Sequence, residues 1–124
     1  MICSGKTGDP LSRIWGPFPG AGFGNSVLQI EKVGSLGGPG LLIGGSSSRT
    51  PPRTCDPIVT DILQHSEENC SLGRAWLISG RSRELVHEFV GERPWDGFGE
   101  TVAVAGDVNH DGLTDILIAA CGDR

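Results

Sequence analysis

The stretch FGETVAVAGDVNHDGLTDILIAACGD, residues 98–123, decides the fold of this chain. Two short runs rich in valine, isoleucine and leucine flank a polar segment that begins at Asp107 and ends at Asp115. Glycine and aspartate bound these runs, a pattern that indicates two β-strands joined by a hairpin loop. We predict strands over Thr101–Gly106 and Ile116–Ala120. The second run is continuously apolar, which predicts burial on both of its faces.

The polar segment carries oxygen-bearing side chains at alternate positions. The candidate metal ligands are Asp107, Asn109, Asp111 and Asp115, with the backbone carbonyl of Leu113 completing the set. Ca²⁺ accepts about six to eight oxygens at loose geometry, whereas Mg²⁺ demands a stricter octahedron. Gly112 permits the sharp turn that brings the last aspartate round. The spacing therefore predicts one calcium site in this loop.

Other kinds of loop fit the same residues less well. An EF-hand needs a glutamate where this chain has Ile118, and the flanking runs do not favour helices. Zinc is disfavoured because no Cys/His pairs lie nearby. A hairpin turn without metal is the remaining alternative, but its three carboxylates would repel one another.

An internal repeat organises the chain. Shifted by 75 residues, the sequence matches itself without a gap: Ser4 falls on Ser79 and Phe23 on Phe98. A period of this size indicates repeated supersecondary units that bury their faces against neighbours. The upstream copy has lost every ligand, so we predict that it binds no calcium. The residues in the ligand positions are Lys32, Gly34, Leu36 and Gly40, and we expect Lys32 near the vacated site.

Turn residues divide the chain into eight predicted strands. All are short, apolar-rich and bounded by glycine, proline, asparagine or aspartate. The strands are Met1–Ser4, Leu11–Trp15, Ser26–Lys32, Leu41–Gly45, Arg74–Ser79, Glu84–Val90, Thr101–Gly106 and Ile116–Ala120. Four strands per repeat are typical of a propeller blade. We therefore predict an all-β fold of propeller-type, four-stranded antiparallel blades, about two blades' worth of strands.

The Phe-Gly pair, the Gly-Asp-x-Asn-x-Asp-Gly-x-x-Asp motif and the apolar strand after it resemble the FG-GAP repeat of integrin alpha-subunit β-propellers. The resemblance is strong over Phe98–Asp123 and weaker over Phe23–Gly45. It departs at the "GAP" end, where this chain has Ala119-Ala120-Cys121. In that family the calcium loop joins the first two strands of a blade.

The resemblance implies a division into three parts. Residues 1–22 are the outer strands of a preceding blade, 23–97 a first repeat, and 98–124 the start of a second repeat with the calcium loop. Residues 46–73 form an insertion within the first repeat, which we expect to be a polar surface loop.

Four cysteines allow three pairings. Cys55 and Cys70 bracket part of the insertion and could form a local disulfide. Cys3 and Cys121 lie in apolar runs, where buried free thiols are at least as plausible as a bridge.

Composition narrows the class of protein. The 124 residues include 20 glycines and 8 prolines, with a net charge of −5 and no clustering of basic residues. Neither a nucleic-acid surface nor a membrane span is indicated. No catalytic set can be assembled from the spacing, so we expect a protein that is not an enzyme. Residues 1–5 lack the features of a signal peptide, so we expect a fragment of a longer protein.

The resemblance implies a calcium-binding module for extracellular binding or cell adhesion, at the cell surface or outside the cell. Calcium would be structural. Alternatives are an accessory, non-catalytic domain of a secreted enzyme and a dockerin-like module with helices after its loops. Expected partners are an unidentified protein or glycan, and either the remaining blades or further copies of the chain, because two blades cannot close a propeller.

Overall fold

The computed structural model describes residues 1–17, 22–33, 38–45, 72–94 and 96–121. Within these ranges the chain has eight strands and no helix, which confirms the predicted all-β fold class. The strands are β1 (Ile2–Cys3), β2 (Pro10–Ser12), β3 (Ser26–Val33), β4 (Gly38–Gly45), β5 (Leu72–Ser79), β6 (Leu85–Pro94), β7 (Thr101–Gly106) and β8 (Asp115–Ala119). The described residues include no apolar helix of membrane-spanning length.

The four middle strands form one antiparallel sheet in the order β3-β4-β5-β6. Strands adjacent in the sheet are also adjacent in the chain, so the sheet is a meander, as in a propeller blade. Its register places Leu42 opposite Leu28 on one side and Leu77 on the other. Two antiparallel pairs, β1-β2 and β7-β8, make up the rest of the described fold.

The middle sheet is apolar on both faces because side chains of consecutive strand residues point to opposite sides. Leu42 is fully buried with Ile30 and Ala75, and this cluster receives apolar side chains of β7 and β8. The residues that pack there from the hairpin are Val102, Ile116 and Ile118. The neighbouring position, Ile43, belongs to the other face. The hairpin β7-β8 therefore covers one face of the middle sheet.

The opposite face is centred on Trp76. This residue, Ile43 and Ile78 form a buried cluster against which Ile14 and Phe23 pack. The Phe23 and Trp76 rings lie 5.1 Å apart and are tilted by 53°. Residues from the N-terminal part of the chain thus cover part of this face.

One buried charge lies in the middle sheet. Arg74 is 8% exposed, and its Nη1 donates to Glu88 Oε1 at 2.9 Å. The Trp76 indole nitrogen donates to the same oxygen at 3.0 Å. One carboxylate oxygen of Glu88, on β6, thus accepts hydrogen bonds from both the buried guanidinium and the indole, which belong to residues of β5.

The 75-residue repeat recurs in the geometry of the turns. Ser4 N donates to Asp9 O at 2.8 Å, and the equivalent Ser79 N donates to Glu84 O at 2.9 Å. The seryl hydroxyl oxygen accepts a backbone N–H inside each turn, at 3.2 Å in both. Arg83 has a φ of 63°, matching its equivalent Gly8 at 80°. The two hairpin turns are thus built by the same local chemistry.

Three expectations need correction. Cys3 and Cys121 are free but exposed, not buried, because no described side chains cover them. Leu117 is 58% exposed, so β8 is not buried on both faces. β5 begins at Leu72, opposite Pro94, so the last two residues of the expected insertion belong to a strand. Cys55, Cys70 and the rest of the insertion up to residue 71 lie outside the described residues.

Candidate metal centre

The oxygen-rich loop lies between the two strands of the C-terminal hairpin. β7 ends at Gly106, which pairs with Asp115 at the start of β8. Residues 107–114 close the hairpin, with His110 and Gly112 at φ values of 63° and 82°. The side chains of Asp107 and Asp111 are exposed, and that of Asp115 is half-buried. The structure therefore brings the sequence-predicted ligands together in a single loop.

Backbone N–H groups of the loop point at its carboxylates. Asp107 accepts from Asp111 N at 3.0 Å and from Gly112 N at 2.9 Å. Asp115 Oδ2 accepts from Val108 N at 2.8 Å. These contacts hold the first and last aspartates of the set on the inner side of the loop, and the N–H dipoles offset part of their mutual repulsion.

The middle of the loop is held by two further residues. Asp111 Oδ1 accepts from Leu113 N at 2.8 Å, and its Oδ2 accepts from Asn109 Nδ2 at 3.0 Å. Asn109 Oδ1 accepts from Asp111 N at 3.0 Å. Leu113, whose carbonyl was the fifth expected ligand, is thus part of the same hydrogen-bonded turn.

The donor set suits a hard cation. The side-chain atoms available are three carboxylates and one amide oxygen, and an ionised carboxylate retains lone pairs after accepting one hydrogen bond. No three His, Cys, Asp or Glu side chains among the described residues are arranged to hold a metal ion as they stand. Calcium binding therefore requires the loop carboxylates to draw closer together than they lie here.

Backbone atoms fasten the start of this hairpin to the middle sheet. A Cβ at Gly44 would lie 2.0 Å from the Gly99 oxygen, and one at Gly73 would lie 2.0 Å from the Phe98 oxygen. Ser26 Oγ donates to the Gly99 oxygen at 3.1 Å. Because the two backbone segments approach this closely, the start of the hairpin is held in a fixed position relative to the preceding sheet.

A cavity of about 160 Å³ lies between the loop and the middle sheet. From the loop and β8 it is lined by Asp111, Leu113, Thr114, Asp115 and Ile116, and from the middle sheet by Ile30, Lys32 and Leu77. Lys32 was expected near the vacated site of its own repeat. The structure places it beside the acidic loop of the following one.

The comparison with known families concerns this same hairpin. Residues 98–122 match the family model described as FG-GAP repeat. Over these residues the chain is similar to an FG-GAP repeat. Neither a curated protein nor a solved structure matches the chain significantly. The resemblance drawn from the motif is therefore confirmed for the last quarter of the chain.

The first two residues of the matched segment lie at the contact between sheets. Phe98 and Gly99 lie against glycines of the preceding sheet, so the phenylalanine-glycine pair is the contact point between consecutive sheets. Gly99 N also donates to Ala119 O at 3.0 Å, as Gly24 N donates to Gly44 O at 3.1 Å one repeat upstream.

One alternative function is wrong. A dockerin-like module requires a helix after its calcium loop, whereas the loop here runs directly into strand β8. The apolar run with β-branched Ile116 and Ile118 pairs with β7 and packs on the middle sheet, which stabilises the extended conformation.

Two features of the loop could not be taken from the ligand spacing. His110 adopts a left-handed conformation, which is uncommon outside glycine, and its side chain is exposed. Lys32 reaches the loop from another strand of the fold. The sequence held one signal for Lys32: the 75-residue shift aligns it with Asp107, so a positive charge stands where the later repeat has a negative one.

Proposed function

We propose that this chain is part of a calcium-stabilised β-propeller module that serves binding or adhesion outside the cell. The observation that carries the proposal is that the segment matched by the FG-GAP family model contains the loop whose residue spacing suits calcium. FG-GAP repeats are non-catalytic and typical of extracellular proteins, which favours a binding role over a reaction.

Calcium would act as a structural ion. When bound, it would offset two of the three negative charges of the loop carboxylates, which otherwise repel one another across a short hairpin. The backbone N–H groups already hold Asp107 and Asp115 at the two ends of the loop, so binding would require the carboxylates to draw closer together but not the whole loop to become ordered. The millimolar calcium of extracellular fluid is sufficient for such a site, since extracellular modules bind with constants of about 10⁻⁴–10⁻³ M.

Calcium titration followed by thermal melting tests the proposal. We expect saturating calcium to raise the melting temperature of the wild type by roughly 10 °C, because a ligand that binds only the folded state stabilises it. Asp111→Asn keeps an acceptor for Leu113 N but removes one charge, so it should lose most of this rise. Asp111→Ala should lose all of it.

The matched control is Asp9→Asn, which removes the same charge from the N-terminal hairpin turn. It should keep the calcium-dependent rise in full, since Asp9 lies in a different turn from the acidic loop. A wild-type melting temperature that does not respond to calcium sinks the proposal, as does a rise that survives in Asp111→Ala.

A further inference from the structure

The cavity between the acidic loop and the middle sheet brings opposite charges together across two repeats. Lys32 lines it from the end of β3, and the carboxylates of Asp111 and Asp115 belong to residues that line it from the loop. Among the described residues no ion pair within 4.0 Å joins Lys32 to either aspartate, so what they share is the lining of one cavity rather than a direct contact.

The position of Lys32 follows from the strand that carries it. Ile30, two residues earlier, is 2% exposed and lies in the cluster that packs against β7 and β8. The pairing of β3 with β4 shifts register between Ile30 and Val33, and an irregularity of this kind re-aims side chains at the end of a strand. Lys32 is exposed at the point where the apolar interface gives way to the acidic loop.

We propose that Lys32 is a built-in counter-charge for the cation loop of the following repeat. In the metal-free protein its ammonium group lowers the repulsion among the loop carboxylates and stabilises the hairpin. In the calcium-bound protein the same charge repels the ion, so Lys32 weakens calcium binding. The inference rests on the proposed calcium site for its second half only.

The two effects have opposite signs, which separates this role from a merely structural one. A residue that only packs the interface would lower stability when replaced and would weaken, or leave unchanged, the binding of calcium. A counter-charge lowers metal-free stability when replaced but strengthens calcium binding. Its effect should also fall with added salt, because exposed charges several ångströms apart are screened.

Lys32→Gln is the decisive variant. We expect it to bind calcium roughly fivefold more tightly than the wild type at low ionic strength, as removal of one charge from a solvated site allows. Its melting temperature in a calcium chelator should fall by about 2 °C. Lys32→Glu should shift both quantities further in the same directions, and Lys32→Arg should stay near the wild type. Isothermal titration calorimetry and melting in chelator give the two readouts.

Lys6→Gln is the matched control. It makes the same change of net charge in the exposed turn between β1 and β2, away from the cavity, and should leave both quantities unchanged. In about 0.5 M salt the affinity difference between Lys32→Gln and the wild type should shrink towards twofold or less.

The outcomes distinguish this inference from the calcium proposal. If the wild type binds no calcium, the proposed function fails, while melting in chelator still tests Lys32. A Lys32→Gln protein that melts at the wild-type temperature in chelator overturns the inference. If the wild type does bind calcium, a Lys32→Gln protein that binds it no more tightly than the wild type also overturns the inference.

Discussion

At the residue scale, three glycines allow consecutive sheets to meet. Cβ atoms at Gly44, Gly73 and Gly99 would each lie about 2 Å from a backbone oxygen of the facing segment. Backbone cannot move aside as the end of a flexible side chain can, so these positions exclude every other residue. The sequence marked them only as turn or strand glycines. Their role appears when the partner backbone is in place.

The repeat supplies a controlled test of this packing. Gly24 and Gly99 are equivalent, with φ values of 97° and 83°, but a Cβ at Gly24 would have nothing within 4 Å. We expect Gly24→Ala to lower the free energy of unfolding by about 1 kcal/mol through backbone strain alone. Gly99→Ala adds a clash with Arg74 O and should lower it by at least about 3 kcal/mol.

Urea denaturation of the two variants measures the difference. If both lose the same stability, strain at positive φ accounts for both, and the close approach at Gly99 contributes nothing. A loss at Gly99→Ala that greatly exceeds the loss at Gly24→Ala supports the contact between sheets.

At the element scale, equivalent strands differ in burial because of what lies against them. Leu42 on β4 is 0% exposed, whereas its repeat equivalent Leu117 on β8 is 58% exposed. Leu42 faces the hairpin β7-β8, while no described strand covers the corresponding face of β8. The continuous apolar run of β8 predicted burial on both faces, but burial depends on the neighbouring sheet.

This difference predicts unequal effects of one substitution at two equivalent sites. Leu42→Ala should destabilise the protein by about 2–4 kcal/mol, because it leaves a cavity in a closed cluster. Leu117→Ala should lower the free energy of unfolding by less than about 1 kcal/mol. Chemical denaturation at equal protein concentration makes the comparison. Equal losses would show that the exposed face of β8 is covered in solution.

Much of the strand pattern could be predicted because it is local. Eight runs with bounding turn residues gave eight strands in the observed order. Strand ends were less accurate, because ladder partners set them: β4 begins at Gly38 opposite Val33, and β6 continues to Pro94 opposite Leu72. Those pairings join residues of different strands, and no single run encodes them.

The candidate site divides in the same way. Alternate spacing predicted the candidate ligands from Asp107 to Asp115, since the residues of one loop are local in sequence. The spacing did not reveal that backbone N–H groups hold those carboxylates, because this depends on the fold of the turn. The position of Lys32 beside the loop could not be predicted either, because it depends on how the sheet that contains β3 packs against the hairpin β7-β8.

At the scale of the whole molecule, each two-stranded sheet corresponds to half of the middle one. The 75-residue shift relates β1-β2 to β5-β6 and relates β7-β8 to β3-β4. The hairpin β7-β8 packs on one face of the middle sheet through Ile118, and Ile14, two residues beyond the end of β2, packs on the other face. In this structure the two pairs form separate sheets, so we expect any pairing between them to use a second copy.

The middle sheet gives the register of such a pairing. β4 pairs with β5 through Leu42 opposite Leu77 and Leu41 opposite Ile78. The same register carried over by 75 residues places Leu117 opposite Ile2 and Ile116 opposite Cys3 in another copy. We expect copies to associate in this way, which would complete a four-stranded blade and cover Leu117. A head-to-tail contact of this kind closes into a ring or extends as a filament.

Cysteine cross-linking tests the register directly. Ile2→Cys with Leu117→Cys, combined with Cys3→Ser and Cys121→Ser, should form disulfide-linked oligomers on a non-reducing gel, because directly paired residues have their Cβ atoms about 5 Å apart. The control keeps Ile2 and Cys3 and carries Leu117→Cys with Cys121→Ser. In this control the two cysteines that could link are Cys3 and the one introduced at position 117. They lie one residue out of register, on opposite faces of the sheet, and should not link. Cys55 and Cys70 stay unchanged in both. Equal linkage in the two variants, or a monomer by light scattering with no linkage, would rule out this pairing and indicate that β8 finds its partner strand in another polypeptide or further along its own.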